Sequence, residues 1–134
     1  MNSGMMSVEQ LTQAVEAGSI DTVLACQVDM QGRLMGKRFQ AEFFLDSAID
    51  ETHSCNYLQA TDMEMETVEG YKATSWEAGY GDYIMKPDLA TLRRLPWLEG
   101  KTIVLCNDTA TTNNYTVTHP HRDELTQQVR RLAA

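Results

Sequence analysis

The amino-acid sequence predicts an α+β domain, a mixed sheet of four to five strands with two to three helices laid against it. Two kinds of periodicity and the chain length predict it. Apolar residues alternate or run on at 20–28, 33–39 and 101–107, as strands require, and recur at helical spacing at 8–15 and 41–50. With 134 residues, 43% of them hydrophobic, the chain can bury one core, so a single domain is expected.

Taken in order, residues 1–6 carry no pattern and read as a frayed end. Ser7-Val8-Glu9-Gln10 has the form of a capping box, and Val8, Leu11 and Val15 then share one helical face before Gly18 offers a stop. From Ile20 the period changes. Leu24, Cys26 and Val28 alternate with Ala25, Gln27 and Asp29, which predicts a strand burying the first set. Met30-Gln31-Gly32 supplies a turn, and 33–39 returns as the second strand of a hairpin. Lys37 and Arg38 near its end are either cations on a sheet edge or partners for a carboxylate of a docked domain. Phe43, Phe44, Ala48 and Ile49 make 41–50 a helix covering the sheet.

Residues 51–56 are polar and read as a loop. Strict alternation over 57–66 predicts a strand with Asp62, Glu64 and Glu66 on one face and Met63 and Met65 on the other. The stretch 67–81 is a loop rich in glycine and aromatic residues, among them Tyr71, Trp76 and Tyr80. Residues 82–86 read as a short strand stopped by Pro87, after which Asp88 caps a single turn and Trp97 packs on the core. The apolar run 101–107 should lie centrally in the sheet. A polar loop at 109–118 leads to a last helix, started by Pro120 with Thr118 as cap, in which Leu125, Val129 and Leu132 share a face. That pattern runs to Ala134 without a stop, which reads as a chain that continues.

Charge and cysteine usage narrow the function. Nineteen acidic against eleven basic residues give a net charge of -8, which argues against a nucleic acid or an anionic membrane as partner. Cys26, Cys55 and Cys106 are odd in number and widely spaced, so free thiols in a reducing compartment are expected. With no apolar run long enough for a bilayer and no leader pattern, the cytoplasm is the expected location. The sequons at Asn107 and Asn114 therefore carry no expected glycan. His53 with Cys55, and His119 with His121, lack a second ligand pair at zinc-site spacing, so no metal is expected on this chain.

Three separated segments carry a family resemblance: 28–38, with Asp29 to Arg33 followed by Gly36-Lys37-Arg38; 81–97, with Pro87-Asp88, Thr91-Leu92-Arg93 and Pro96-Trp97; and 102–108. Together, and in this order, they resemble the amino-terminal β-grasp domain of the glutamine synthetase superfamily, and within it the branch that joins glutamate to amines. The resemblance spans roughly residues 20–132. It implies a β-grasp-like sheet at 20–118, preceded by an amino-terminal helix and tail at 1–19. A linking helix at 119–134 would lead toward a separate catalytic domain.

The same resemblance implies a function. The full enzyme would be an ATP-dependent ligase using Mg or Mn, forming γ-glutamyl phosphate from glutamate and trapping it with ammonia or an amine. Its catalytic domain is absent here, so no cofactor is expected on this chain and it should be inactive alone. Its expected partners are that carboxyl-terminal domain and neighbouring subunits in a ring. Asp62 matches the aspartate that reaches into the neighbouring subunit's site to hold the ammonium and favour its deprotonation. Its continuation as Met63-Glu64-Met65, in place of Gly-Ser-Ser, points toward an organic amine.

Read from the residues themselves, the acidic row is either a solvated face or a site for a cation such as a primary ammonium, bound by Asp62 with Glu64 and Glu66. Tyr71 and Trp76 either contact the substrate or partner, or the loop's rings pack back on the sheet. Asp82 matches a second family aspartate, but a cap or an ion pair would explain it equally well. The alternative function is a free-standing, non-catalytic interaction module, since fold alone does not fix activity.

Overall fold

The computed structural model describes residues 4–71, 74–77, 79–109 and 128–133. Five strands, β1 (Thr22–Val28), β2 (Leu34–Gln40), β3 (Thr52–Cys55), β4 (Asp82–Arg94) and β5 (Lys101–Thr109), form one mixed sheet in the order β2-β1-β5-β4-β3. This is the expected α+β, β-grasp-like architecture. β5 is central, as its apolar run requires, and pairs in parallel with β1 from Thr22 opposite Lys101 to Cys26 opposite Leu105. Contacts divide the described residues into two compact units, one within Met1–Gln27, Gly36–Thr52 and Lys86–Cys106, the other within Val28–Met35, His53–Met85 and Asn107–Ala134.

In the first unit, helix α1 (Val8–Glu16) begins as its sequence dictates. Ser7 Oγ accepts from the Gln10 N–H at 3.2 Å, and the Ser7 N–H donates to Gln10 Oε1 at 2.8 Å. Leu11 is fully buried, and Gly18 leaves the helix at φ +69°. Helix α2 (Ala41–Phe43) continues as a π-helical turn, Phe44–Ala48, where the Ile49 N–H reaches back five residues to the Phe44 carbonyl. This widening rotates Phe44 fully inward and leaves Phe43 half exposed, stacked on Phe39 with centroids 5.9 Å apart.

Gly36, on the edge strand β2, has a requirement that periodicity alone does not reveal. A Cβ there would stand 2.0 Å from the Ala25 carbonyl oxygen, inside the neighbouring backbone. The glycine that opens the Gly-Lys-Arg motif is therefore fixed by packing. Lys37 and Arg38 beside it are exposed on that edge strand.

Several expectations are corrected. In β1 the fully buried face is Val23, Ala25 and Gln27, while Leu24, Cys26 and Val28 are half buried. Both faces are thus covered in part, and alternation of polarity misassigned the deeper one. Residues 52–55 are a strand, though polar, because a short strand at the sheet edge keeps much of its surface in water.

β4 does not stop at Pro87 but runs thirteen residues to Arg94, and Pro87 is buried. Proline is compatible with this because β3 is only four residues long, so much of that edge of β4 has no neighbour needing a donor. The turn expected after Asp88 is a local irregularity within the strand. Asp88 Oδ1 accepts from the Ala90 N–H, and Thr91 Oγ1 takes the Leu105 N–H in place of a carbonyl.

Trp97 is 74% exposed, where core packing was expected. It sits in a turn between β4 and β5 in which the Leu98 N–H donates to the Leu95 carbonyl, with Pro96 and Trp97 at the two central positions. A turn apex has nothing to pack against, and the anchor is Leu95, which is buried. The three cysteines are free, and burial pushes the Cys26 thiol above its ordinary value. Among the described residues, no helix is long and apolar enough to cross a membrane. The expected loop at 109–118 and the start of the last helix lie almost wholly outside the described residues. Residues 128–132 are helical, with Val129 and Leu132 exposed.

Candidate functional site

The expected strand at 57–66 does not form. Asn56–Ala60 is a 3₁₀ turn, and beyond it Thr61 makes a single antiparallel bridge with Thr67 that closes a tight loop. Alternation of side chains becomes a strand only where a neighbour takes the backbone hydrogen bonds, and here the segment takes its own. The Asp62 N–H donates to the Glu66 carbonyl at 2.9 Å, the Met65 N–H to the Asp62 carbonyl at 3.2 Å, and Met65 is driven to φ +68°. The three acids therefore stand around a loop tip and not along a strand face.

Within this loop Asp62 is half buried, and its Oδ1 accepts from the N–H groups of Glu64 and Glu66, each at 2.9 Å. These bonds fix the carboxylate against its own loop. Among the described residues no hydrogen bond reaches Oδ2. Glu64 and Glu66 are exposed. Thr61 is buried, and its Oγ1 has no hydrogen-bond partner among the described residues.

The loop is held by the turn between β1 and β2. Asp29, with its side chain 1% exposed, accepts through Oδ1 from the N–H groups of Gln31 and Arg33 and through Oδ2 from Arg33 Nε at 2.6 Å. Burial pushes the Asp29 carboxyl up, but the hydrogen bonds and charge of Arg33 outweigh it and hold the group below its ordinary value. Arg33 then donates through Nη2 to the Asp62 carbonyl at 2.8 Å and through Nη1 to the Met63 carbonyl at 2.9 Å. Gln31 Nε2 donates to the Thr61 carbonyl at 3.0 Å. Asp29 and Arg33 were visible in sequence as a turn motif. Their hold on residues 61–63 was not, because nothing local joins segments thirty residues apart.

The remaining expected site residues fall into two groups. Tyr71 meets the same turn, its hydroxyl 3.3 Å from Met30 Sδ. Trp76 is 81% exposed and does not pack back on the sheet; its ring meets Tyr80 edge-on at 6.2 Å, and Tyr80 in turn meets Tyr57 at 6.0 Å. Asp82 is exposed at the start of β4, just after Gly81, which is bonded through its N–H and its carbonyl to Asn56. Thus the 29–33 turn holds the loop that carries Asp62, Glu64 and Glu66 and also meets Tyr71, whereas Trp76 belongs to a separate aromatic group. Among the described residues, no group of three or more His, Cys, Asp or Glu side chains is placed to hold a metal ion.

No family model matches the chain. Among curated proteins it is 50% identical, over 129 residues and 96% of its own length, to the γ-glutamylethanolamide synthetase GlnA4 of Streptomyces coelicolor. It is 39% identical over 94 residues, 69% of its length, to a glutamate–isopropylamine ligase of a Pseudomonas species. It spans only 28% and 20% of those two relatives. Its fold is shared with solved GmaS structures, one an ADP complex (TM-score 0.63, 20% identity, 92% of this chain and 25% of that one) and one without ligand (TM-score 0.62).

Proposed function

We propose that this chain, which is related to the amino-terminal portion of glutamine synthetase-like γ-glutamyl-amine ligases, works as that portion of such an enzyme. The observation that carries this is the 50% identity to a γ-glutamylethanolamide synthetase along almost the whole chain. The complete protein would use ATP to activate the γ-carboxyl of glutamate and pass it to a primary amine. The groups that hold ATP and divalent metal would then lie in the part of the relatives' length that this chain does not span. Residues 20–118 would form the body of the domain, 1–19 its amino-terminal helix and tail, and 119–134 its link to the catalytic portion, in a cytoplasmic ring of subunits.

In this reading Asp62 is the chain's contribution to the reaction, made in a neighbouring subunit's site. Its Oδ1 is occupied by its own loop, and Oδ2 would accept from the alkylammonium. Proton transfer from the ammonium frees the lone pair, which attacks the γ-carbonyl carbon as phosphate leaves. Glu64 and Glu66, exposed on the same loop tip, would raise the local concentration of cationic amine. Tyr71, Trp76 and Asp82 would contact the substrate or the partner subunit.

Sequencing the source gene beyond codon 134, then assaying its product, tests this. An open frame whose protein makes γ-glutamylamides from glutamate, ATP and ethanolamine or isopropylamine is expected. D62N should lower kcat/KM for the amine by roughly 100-fold, the scale of a lost general base, with subunit assembly intact. A frame that closes at codon 134, or a product without amide synthesis, overturns the reading.

A further inference from the structure

We infer that Arg33 is a positioning residue for the amine-binding carboxylate: the 29–33 turn grips the carbonyls of Thr61, Asp62 and Met63 and so sets the loop on which Asp62 stands. The inference rests on the ligase reading for its catalytic meaning and on geometry for the grip itself. Asp62 orients its carboxylate through the Glu64 and Glu66 N–H groups, which gives direction only if the loop backbone is itself fixed. Its own backbone bonds shape the tip, and bonds from outside the loop set where that tip stands. Arg33 supplies these at the Asp62 and Met63 carbonyls, and Gln31 at the Thr61 carbonyl, at 2.8–3.0 Å.

Arginine suits this work because its planar fork offers several donors in fixed directions. Nε is spent on Asp29 at 2.6 Å, which locks the plane and leaves both terminal nitrogens aimed at the loop. Asp29 is buried and ties down its own turn through the Gln31 and Arg33 N–H groups, so the guanidinium is anchored at its base. A lysine offers its donors from a single nitrogen and could not span acceptors that Arg33 meets with three. The loop also holds Met65 at positive φ, a conformation that a methionine does not keep without outside support.

Two measurements test the inference, one independent of catalysis. Amide exchange is followed by NMR in this 134-residue chain, as wild type, R33A, R33K and Q31A. R33A should speed exchange of the Glu64 and Glu66 amides by about 10-fold or more, with R33K between it and wild type and Q31A smaller, while the Val104 amide in β5 is unchanged. Q31A leaves the Asp29–Arg33 pair intact, so it remains informative if R33A is too destabilised to read. Unchanged exchange at Glu64 and Glu66 in R33K and Q31A overturns the grip.

In the complete ligase, R33K should raise KM for the amine by roughly 10-fold, since a misplacement of about an ångström costs on that scale or more. KM for glutamate should stay within about 2-fold, while kcat at saturating amine falls as well, because the misplaced carboxylate also takes part in freeing the amine's lone pair. An equal loss for all substrates overturns the positioning role, and a wild-type protein with no ligase activity overturns the ligase reading while exchange still decides the grip.

Discussion

Two tight connections in this molecule share a frame of backbone bonds and a positive-φ glycine, and differ in what their side chains add. The 29–33 turn adds side chains to its backbone bonds, which run from the Asp29 N–H to the Arg33 carbonyl and from the Gly32 N–H to the Asp29 carbonyl: a buried aspartate takes two backbone N–H groups and an arginine, and the arginine reaches on to a second loop. The 95–100 turn is made by backbone: Pro96 presets one dihedral, Gly100 supplies φ +70°, and the bonds run from the Leu98 N–H to the Leu95 carbonyl and from the Lys101 N–H to the Leu98 carbonyl. Past the buried Leu95, its side chains from Pro96 to Glu99 are left to solvent, Trp97 above all. A connection built from charged side chains can position something else, whereas one built from proline and glycine can only turn.

The contrast predicts a graded response to substitution. D29A should have the largest effect, about 3 kcal/mol in urea unfolding, because it removes a buried carboxylate and strands the guanidinium that it held. A loss below about 1 kcal/mol would mean that the turn does not depend on its side chain. G100A comes next, at about 1 kcal/mol, from strain at positive φ and a new Cβ 3.1 Å from Asp21 Oδ2. W97S should stay within about 0.5 kcal/mol of wild type, as expected for an exposed position.

Acid separates the two turns further. Asp29 has a folded value held below its ordinary one, so its stabilisation is fully present above the unfolded carboxylate range, about pH 4, and is lost as pH falls through the folded value. D29N should therefore flatten the stability profile in that acid window, measured as urea midpoint against pH. Asp21, by the second turn, is also lowered, through its hydrogen bond to Lys101, but it is exposed, so salt should screen its contribution.

Legibility in the sequence followed how local each interaction is. α1 was readable to the residue because a capping box lies within four positions, and the β1–β2 hairpin because its turn is contiguous. β5 was readable because a continuous apolar run fits few places other than the middle of a sheet. Residues 57–66 were misread because alternation describes side chains, and whether a strand forms is settled by a backbone partner elsewhere. Pro87 and Trp97 were misread because each was assigned its most common role: proline the stop and tryptophan the core anchor. Asp62 was singled out twice, by the acidic row in which it stands and by its order and distance relative to other motifs. Arg33's hold on its loop had no local signal, since the bond spans 29 positions.

Both tryptophans of the chain, Trp76 and Trp97, are more than 70% exposed in the folded state. Native emission should already lie at long wavelength, so unfolding will barely shift it and ordinary fluorescence will follow denaturation poorly. The same exposure turns both rings into reporters of contact. A blue shift on adding a partner would record the covering of a tryptophan, and W97S or W76F would tell which one was covered.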